Sequence, residues 1–174
     1  MAKESASQKL FEEAKRLHHK GVDGDKKAVK EAFEKLAKLR SAEPKNALIE
    51  AYYGSSLALM GRDAAQPLER AEKAQHGLDA LDRAVSMDPN RKEIRMLRAN
   101  VCVRLPELYF QSSKIAIEDF NYLLERYKAN PEYLTKKQVG DILKNLSTAY
   151  QNAGKPDQAK ATLQRLAKLD GKKK

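Results

Sequence analysis

The chain has a single cysteine, Cys102, which excludes an intramolecular disulfide framework. Cys102 lies in the apolar run NVCV, where a small buried hydrophobe is the expected role. A catalytic thiol would need a neighbouring base, and the surrounding residues name none. Long hydrophobic runs are missing too; the longest are a few residues, far below a membrane span. The leading residues MAKESASQKLFEEAKR turn charged at once and carry no apolar signal region, so the expectation is a soluble, cytoplasmic protein. Eight Gly and six Pro in 174 residues are thinly spread, as punctuation between helices would be.

Motifs that carry chemistry are also scarce. There is no Gly-rich phosphate loop, no nucleophile elbow and no zinc-type Cys/His spacing. His18 and His19 are adjacent, and neighbours on a helix point about 100° apart, so they do not form an i, i+4 metal pair. The acid pairs Glu12-Glu13 and Glu118-Asp119 are expected to be solvated surface charge. No catalytic residue, no metal ligand and no cofactor is expected, and the chain is not read as an enzyme.

What is present is charge and helical periodicity. Apolar residues make up 41% and charged residues 33%, with a net charge of +10. That excess is uneven: +4 over residues 1–45, −3 over 46–90, +3 over 91–131 and +6 over 132–174. Three of the charges are the basic tail, Lys172-Lys173-Lys174, expected to be a solvated end. Arg91, Arg95 and Arg98 share one helix face, expected to be a solvated flank, with an anion site as the alternative. Tyr52, Tyr53, Tyr109 and Phe110 are not interleaved with these arginines, so the combined signature of nucleic-acid binding is missing.

The stretch LKNLSTAYQNAGKPDQAKATLQRLAKLD shows the organisation best. Leu143, Leu146 and Tyr150 recur at helical spacing; Gly154 stops that helix and Pro156 starts the next. Ala159, Leu163 and Leu166 are then expected to form the facing stripe of an antiparallel partner. The second-helix pattern recurs as Ala32, Leu36, Leu39 and Pro44, as Gly77, Leu81, Ala84 and Pro89, and as Ala116, Phe120 and Leu123. Gly54 and Ala99, ten residues beyond Pro44 and Pro89, are the small residues of the following first helices. The spacing predicts helices near 5–20, 25–41, 46–60, 67–87, 91–105, 113–129, 135–153 and 156–169.

This pattern resembles the tetratricopeptide repeat, a helix-turn-helix unit of about 34 residues. The chain reads as a divergent four-repeat member, with repeats at 5–44, 45–89, 90–131 and 132–171 in one domain spanning 1–171 and a basic tail at 172–174. The spacings of 45 residues from Pro44 to Pro89 and 42 from Pro89 to Pro131 exceed the family unit. The excess falls in MGRDAAQP and in LPELYFQSS, the latter a functional loop or a plug for the enlarged repeat. The first copy offers Leu10, Phe11, Ala14 and Leu17 in place of the usual signature. The resemblance implies an all-α, right-handed helical-hairpin solenoid of eight helices; an irregular helical bundle is the alternative.

In that family the first helices line a concave groove for a partner peptide or helix. Carried over by position, Ile94, Leu97, Val101 and Leu105 form the apolar stripe of the third first helix. Glu93, Met96, Asn100, Val103 and Arg104 would then face the groove, with Asp141, Lys144, Thr148, Gln151 and Asn152 in the fourth. Leu48, Ala51, Ser55, Ala58 and Leu59 of the second either face it or are covered by the enlarged repeat. One subgroup clamps a C-terminal carboxylate with paired Lys and Asn. Asn100, Lys144 and Asn145 match fragments of that set, but Met96 and Ser55 do not, so the clamp is incomplete. The expected function is non-catalytic: a protein-interaction module or adaptor whose candidate contacts are Asn100, Arg104, Lys144, Thr148 and Gln151. Its expected partner is a protein or peptide carrying acidic or carboxylate groups. A nucleic-acid-associated repeat using basic ends and a self-assembling scaffold stay open as alternatives.

Overall fold

A computed structural model describes residues 5–171, all but the connections being helical. The tail at 172–174 lies outside the described residues. Nine helices and no strand occur among them: α1 (Ala6–Val22), α2 (Lys26–Ala42), α3 (Ala47–Asp63), α4 (Pro67–Met87), α5 (Lys92–Arg104), α6 (Glu107–Phe110), α7 (Ser113–Ala129), α8 (Lys136–Asn152) and α9 (Pro156–Gly171). Every helix expected from spacing is present, with ends displaced by no more than three residues. No described helix is long and apolar enough to cross a membrane.

The boundaries follow local chemistry. Ser5 and Gln8 form a reciprocal capping box at α1, as Thr135 and Gln138 do at α8, each satisfying backbone donors the first turn leaves open. Asp25 and Asn46 cap α2 and α3 by accepting the N–H of Ala28 and Ile49 at 3.0 and 3.2 Å. Pro67 and Pro156 open α4 and α9, where a missing N–H costs nothing. Gly154, at φ +73°, ends α8 in the left-handed conformation that glycine adopts without strain.

The chain divides into two compact units, Met1–Leu97 and Arg98–Lys174, the division falling inside α5. In the first unit α1 packs on α2, α2 on α3, α3 on α4, and α1 also on α3. Its interior is the expected set of stripes: Ala32, Leu36 and Leu39 from α2, Leu81 and Ala84 from α4, and Ala14 and Leu17 from α1. Leu10 and Phe11 pack half-buried against them. In the second unit α7 packs on α8 and α8 on α9, with Ala116, Phe120, Leu123 and Leu146 fully enclosed. Cys102 is fully buried, as its apolar run implied.

Helices α3 and α4 meet backbone to backbone. A Cβ added at Gly54 would lie 2.7 Å from the Gly77 carbonyl oxygen, and one added at Gly77 would lie 2.6 Å from that of Gly54. Seven residues further along α3, a Cβ on Gly61 would lie 2.9 Å from the Arg70 oxygen, seven residues back along α4. The matched steps make the pair antiparallel and close over two turns. Arg62 explains why α3 runs three residues past its expected end. Its Nη2 donates to the Gly21 oxygen at 2.8 Å and its Nη1 to that of Val22 at 3.3 Å, closing the C-terminus of α1.

Three expectations are corrected. Leu163 is 48% exposed, because Thr162, 3% exposed, takes the inward position and bonds the Gln158 oxygen at 2.7 Å. The buried stripe of α5 is rotated: Ile94, Arg98, Ala99, Cys102 and Val103 are buried, while Leu97, Val101 and Leu105 are half-buried. LPELYFQ forms the short helix α6, which spacing did not predict, and Leu108 and Tyr109 are 82% and 80% exposed, so they plug nothing. The segment is tied down at its polar residues instead. Glu107 accepts the Ser113 N–H at 3.0 Å, and Ser112 donates to the Cys102 oxygen at 2.8 Å.

Two glycines on long helices should therefore respond oppositely to alanine. Gly54→Ala is expected to lower unfolding free energy by about 2 kcal/mol or more, since its methyl collides with backbone. Gly140→Ala on α8 meets only Leu166 and Leu169 at 3.9 and 4.0 Å. It should add roughly 0.5–1 kcal/mol by restricting the unfolded chain. Urea unfolding of both variants checks the pair, and a neutral Gly54→Ala would refute the close approach.

Candidate functional site

Two of the groove helices predicted from position, α5 and α8, are linked within the second unit by two side-chain hydrogen bonds. Asn145 Nδ2 donates to Asn100 Oδ1 at 3.3 Å, and Asn152 Nδ2 donates to the Val103 backbone oxygen at 3.4 Å. The steps are seven residues on α8 and three on α5, so the amides bridge the two helices at two levels. Asn100 is half-buried in this seam. Arg104, Lys144, Thr148 and Gln151 are exposed. On α8, Lys144, Thr148 and Gln151 follow a helical i, i+4, i+7 spacing and share one face. Thr148 Oγ1 donates back to the Lys144 oxygen at 3.3 Å, which holds its methyl outward. Val103, expected to face the groove, is buried instead.

The fate of the arginines decides which cations this face can offer. Among the described residues, Arg62 caps α1, Arg95 bonds the Pro89 oxygen at 2.8 Å, and Arg91 pairs with Glu93 at 3.5 Å. Arg98 is the correction to the solvated-flank expectation. It is buried, and its Nε and Nη2 hold Asp119 Oδ2 and Oδ1 at 2.7 and 2.8 Å. Asp119 is likewise no surface acid, being fully enclosed. Its position could have been read from the sequence, since Ala116, Asp119, Phe120 and Leu123 lie on one buried stripe. Arg104 has no partner among the described residues, and neither has Lys144. Lys144 also borders an open hollow of about 400 Å³ with Lys136, Gly140, Leu166 and Asp170.

The second-repeat residues considered for the groove are covered. Ala51, Ser55, Ala58 and Leu59 are buried. Ala58 lies against Gly77 of α4, and Ser55 Oγ is 2.8 Å from His18 Nε2 on α1. His18 is buried edge-on to Tyr52, and desolvation, followed by the charge of His19, lowers its pKa to about 4. Ser55 therefore contributes nothing to a carboxylate clamp, and the amides of Asn100 and Asn145 bond each other. Among the described residues no three His, Cys, Asp or Glu side chains gather to hold a metal ion.

A second polar cluster was not anticipated. Glu50, the sole charged residue between Lys45 and Arg62, sits in an apolar helix and is 5% exposed. Its carboxylate accepts Arg40 Nε at 2.6 Å, Arg40 Nη2 at 3.3 Å and Arg83 Nε at 3.0 Å. A lone acid in so apolar a segment needs a cationic partner, which was the available signal. That hydrogen bond raises the Arg40 pKa, and its guanidinium lies 4.6 Å from the Tyr53 ring centroid, which stacks in turn on Phe33. No protein-family model matches the chain, and no curated protein matches it.

Two outcomes follow from the buried charges. Asp119→Asn removes the charge of the enclosed carboxylate that accepts two bonds from the buried Arg98 guanidinium, and should cost about 3–5 kcal/mol in chemical unfolding. Unchanged stability would contradict the enclosed pair. His18 is neutral in the folded protein, whereas the unfolded chain takes up a proton near 6.5. Protons therefore favour the unfolded state between the two values. This stability is complete above about pH 6.5 and falls by about 1.4 kcal/mol per pH unit towards pH 4. His18→Gln should flatten that part of the stability-versus-pH curve; parallel curves for the two proteins would refute it.

Proposed function

We propose that the chain is a divergent tetratricopeptide-like repeat protein acting as a non-catalytic adaptor. It would capture an acidic segment of a partner protein in the cytoplasm. The observation that carries this reading is the α5–α8 seam. Asn145 bonds Asn100 and Asn152 bonds the Val103 carbonyl across it, while Arg104 and Lys144 point no charge into any internal pair. Two cations, a hydroxyl and an amide on rigid helices can meet carboxylates and peptide groups without rearrangement.

Support for the repeat reading comes from the order of packing. In the first unit α1 packs on α2, α2 on α3 and α3 on α4, and α1 also meets α3, the helix two places on. A stack of helical pairs has that neighbour pattern, since each pair covers the apolar face its predecessor leaves open. The right-handed solenoid and the four-repeat division belong to the same proposal.

Charge reversal tests the face. The double variant Arg104→Glu and Lys144→Glu should bind an array of acidic peptides at low salt at least about tenfold more weakly, with its helical circular dichroism unchanged. Equal binding by the double variant would remove these residues from the site.

A further inference from the structure

We propose that the Arg40–Glu50–Arg83 cluster of the first unit is a phosphate-binding site. Glu50 lies at the floor of a hollow of about 320 Å³ whose walls are Arg40, Ser41, Pro44, Arg83 and Met87. The carboxylate is already saturated from one side: Oε2 accepts Arg40 Nε, and Oε1 accepts both Arg40 Nη2 and Arg83 Nε. One negative charge therefore faces two permanent positive ones, and the site keeps a net charge of +1. Because Glu50 is buried, an incoming anion meets guanidinium edges before it meets the carboxylate.

The donors left over suit a tetrahedral oxyanion. A guanidinium has five N–H groups. Among the described residues, Arg83 spends only Nε, leaving Nη1 and Nη2, and Arg40 leaves Nη1. The side chains of Arg40 and Arg83 remain 39% and 52% exposed, so these nitrogens are open to solvent. Both groups are held before any ligand arrives, Arg40 by Glu50 and the Tyr53 ring, Arg83 by Glu50. Pre-set planar forks with spare donors are what bidentate phosphate recognition requires, and little side-chain entropy is left to lose on binding. Three elements build the site, the last turn of α2, the C-terminal part of α4 and the first turn of α3, so it exists only in the folded unit.

Inorganic phosphate is the probe, titrated into the full chain at constant ionic strength. The arginine Nε–Hε NMR signals of Arg40 and Arg83 should shift saturably with a Kd on the order of 1 mM. Arg83→Gln should weaken this by about tenfold or more, and Arg83→Lys, which keeps the charge but loses the fork, should weaken it less. Phosphate should also raise the thermal midpoint of the wild type more than that of either variant, which separates site binding from a general salt effect. An arm with phosphoserine separates free phosphate from a group carried on a chain: shifts at the same two signals mean the site accepts an ester. Overturning results are non-saturating shifts, shifts spread over all arginines, or equal midpoint gains in wild type and variants. Should Arg83→Gln fail to fold, the Arg83→Lys comparison decides alone.

Discussion

Helices α3 and α4 touch at Gly54 and Gly77 with no side chain between them, and most of the first unit's polar architecture is set by that contact. Once the two backbones run antiparallel at this distance, residues at matched steps from the crossing must meet. Four residues towards the start of α3 stands Glu50, and Arg83, six towards the end of α4, reaches it across the two-residue offset with its long side chain, Nε lying 3.0 Å from Oε1. Seven residues in the opposite sense bring Gly61 against the Arg70 carbonyl, so a second small residue is needed there. Ala58 lies against Gly77 on this side, and Ser55 meets His18 on the α1 side. One steric constraint thus accounts for a salt-bridge cluster, a buried imidazole and the covering of an apolar patch.

The two units solve the same electrostatic problem in related ways. Each encloses one carboxylate on a helix and holds it with arginine from a neighbouring helix. Asp119 is fully sealed and held by both nitrogens of a buried guanidinium fork. Glu50 is sealed too, but its two arginines reach it from a rim that stays wet. A buried ion pair contributes more to choosing one arrangement than to net stability, because desolvation offsets much of its Coulomb energy. A cluster with surplus positive charge at a solvent rim has something left for a ligand.

That partition also explains how a chain of net charge +10 presents its charge. Several arginines of α3 and α5 are spent on carbonyls and carboxylates: Arg62 on α1, Arg95 on Pro89, Arg98 on Asp119. Arg104 and Lys144 are among the cations left on the α5–α8 face, next to a seam where Asn145 bonds Asn100 and Asn152 bonds the Val103 carbonyl. Net charge alone could not separate these groups, since internal and available arginines look alike in composition. The proposed acidic partner and the proposed phosphate thus fall on different units and different cations, so one can fail without the other.

Helix positions were legible in the sequence because they depend on local terms: stripes at 3.6-residue spacing, Ser, Asp, Asn and Thr caps, and Gly or Pro at the ends. The inward residues of α2, α4 and α7 could be named for the same reason, as Ala32, Leu36, Leu39, Leu81, Ala84 and Phe120 show. Rotation of a helix about its axis was not legible where polar residues sit on the buried side. In α5 the counting of aliphatic residues pointed to Leu97 and Val101, yet Arg98 turned inward because Asp119, twenty-one residues away, neutralises it. Thr162 likewise displaced Leu163, its hydroxyl satisfied by the preceding turn. Pairings such as His18 with Ser55 and Glu50 with Arg83 join residues more than thirty positions apart, and they arise only when packing brings two helices within hydrogen-bond reach. Local periodicity determined the helices and most of their apolar faces; tertiary packing decided which charges are internal and which are left for a partner, because the cost of burying a charge depends on a counter-charge that only the fold brings near.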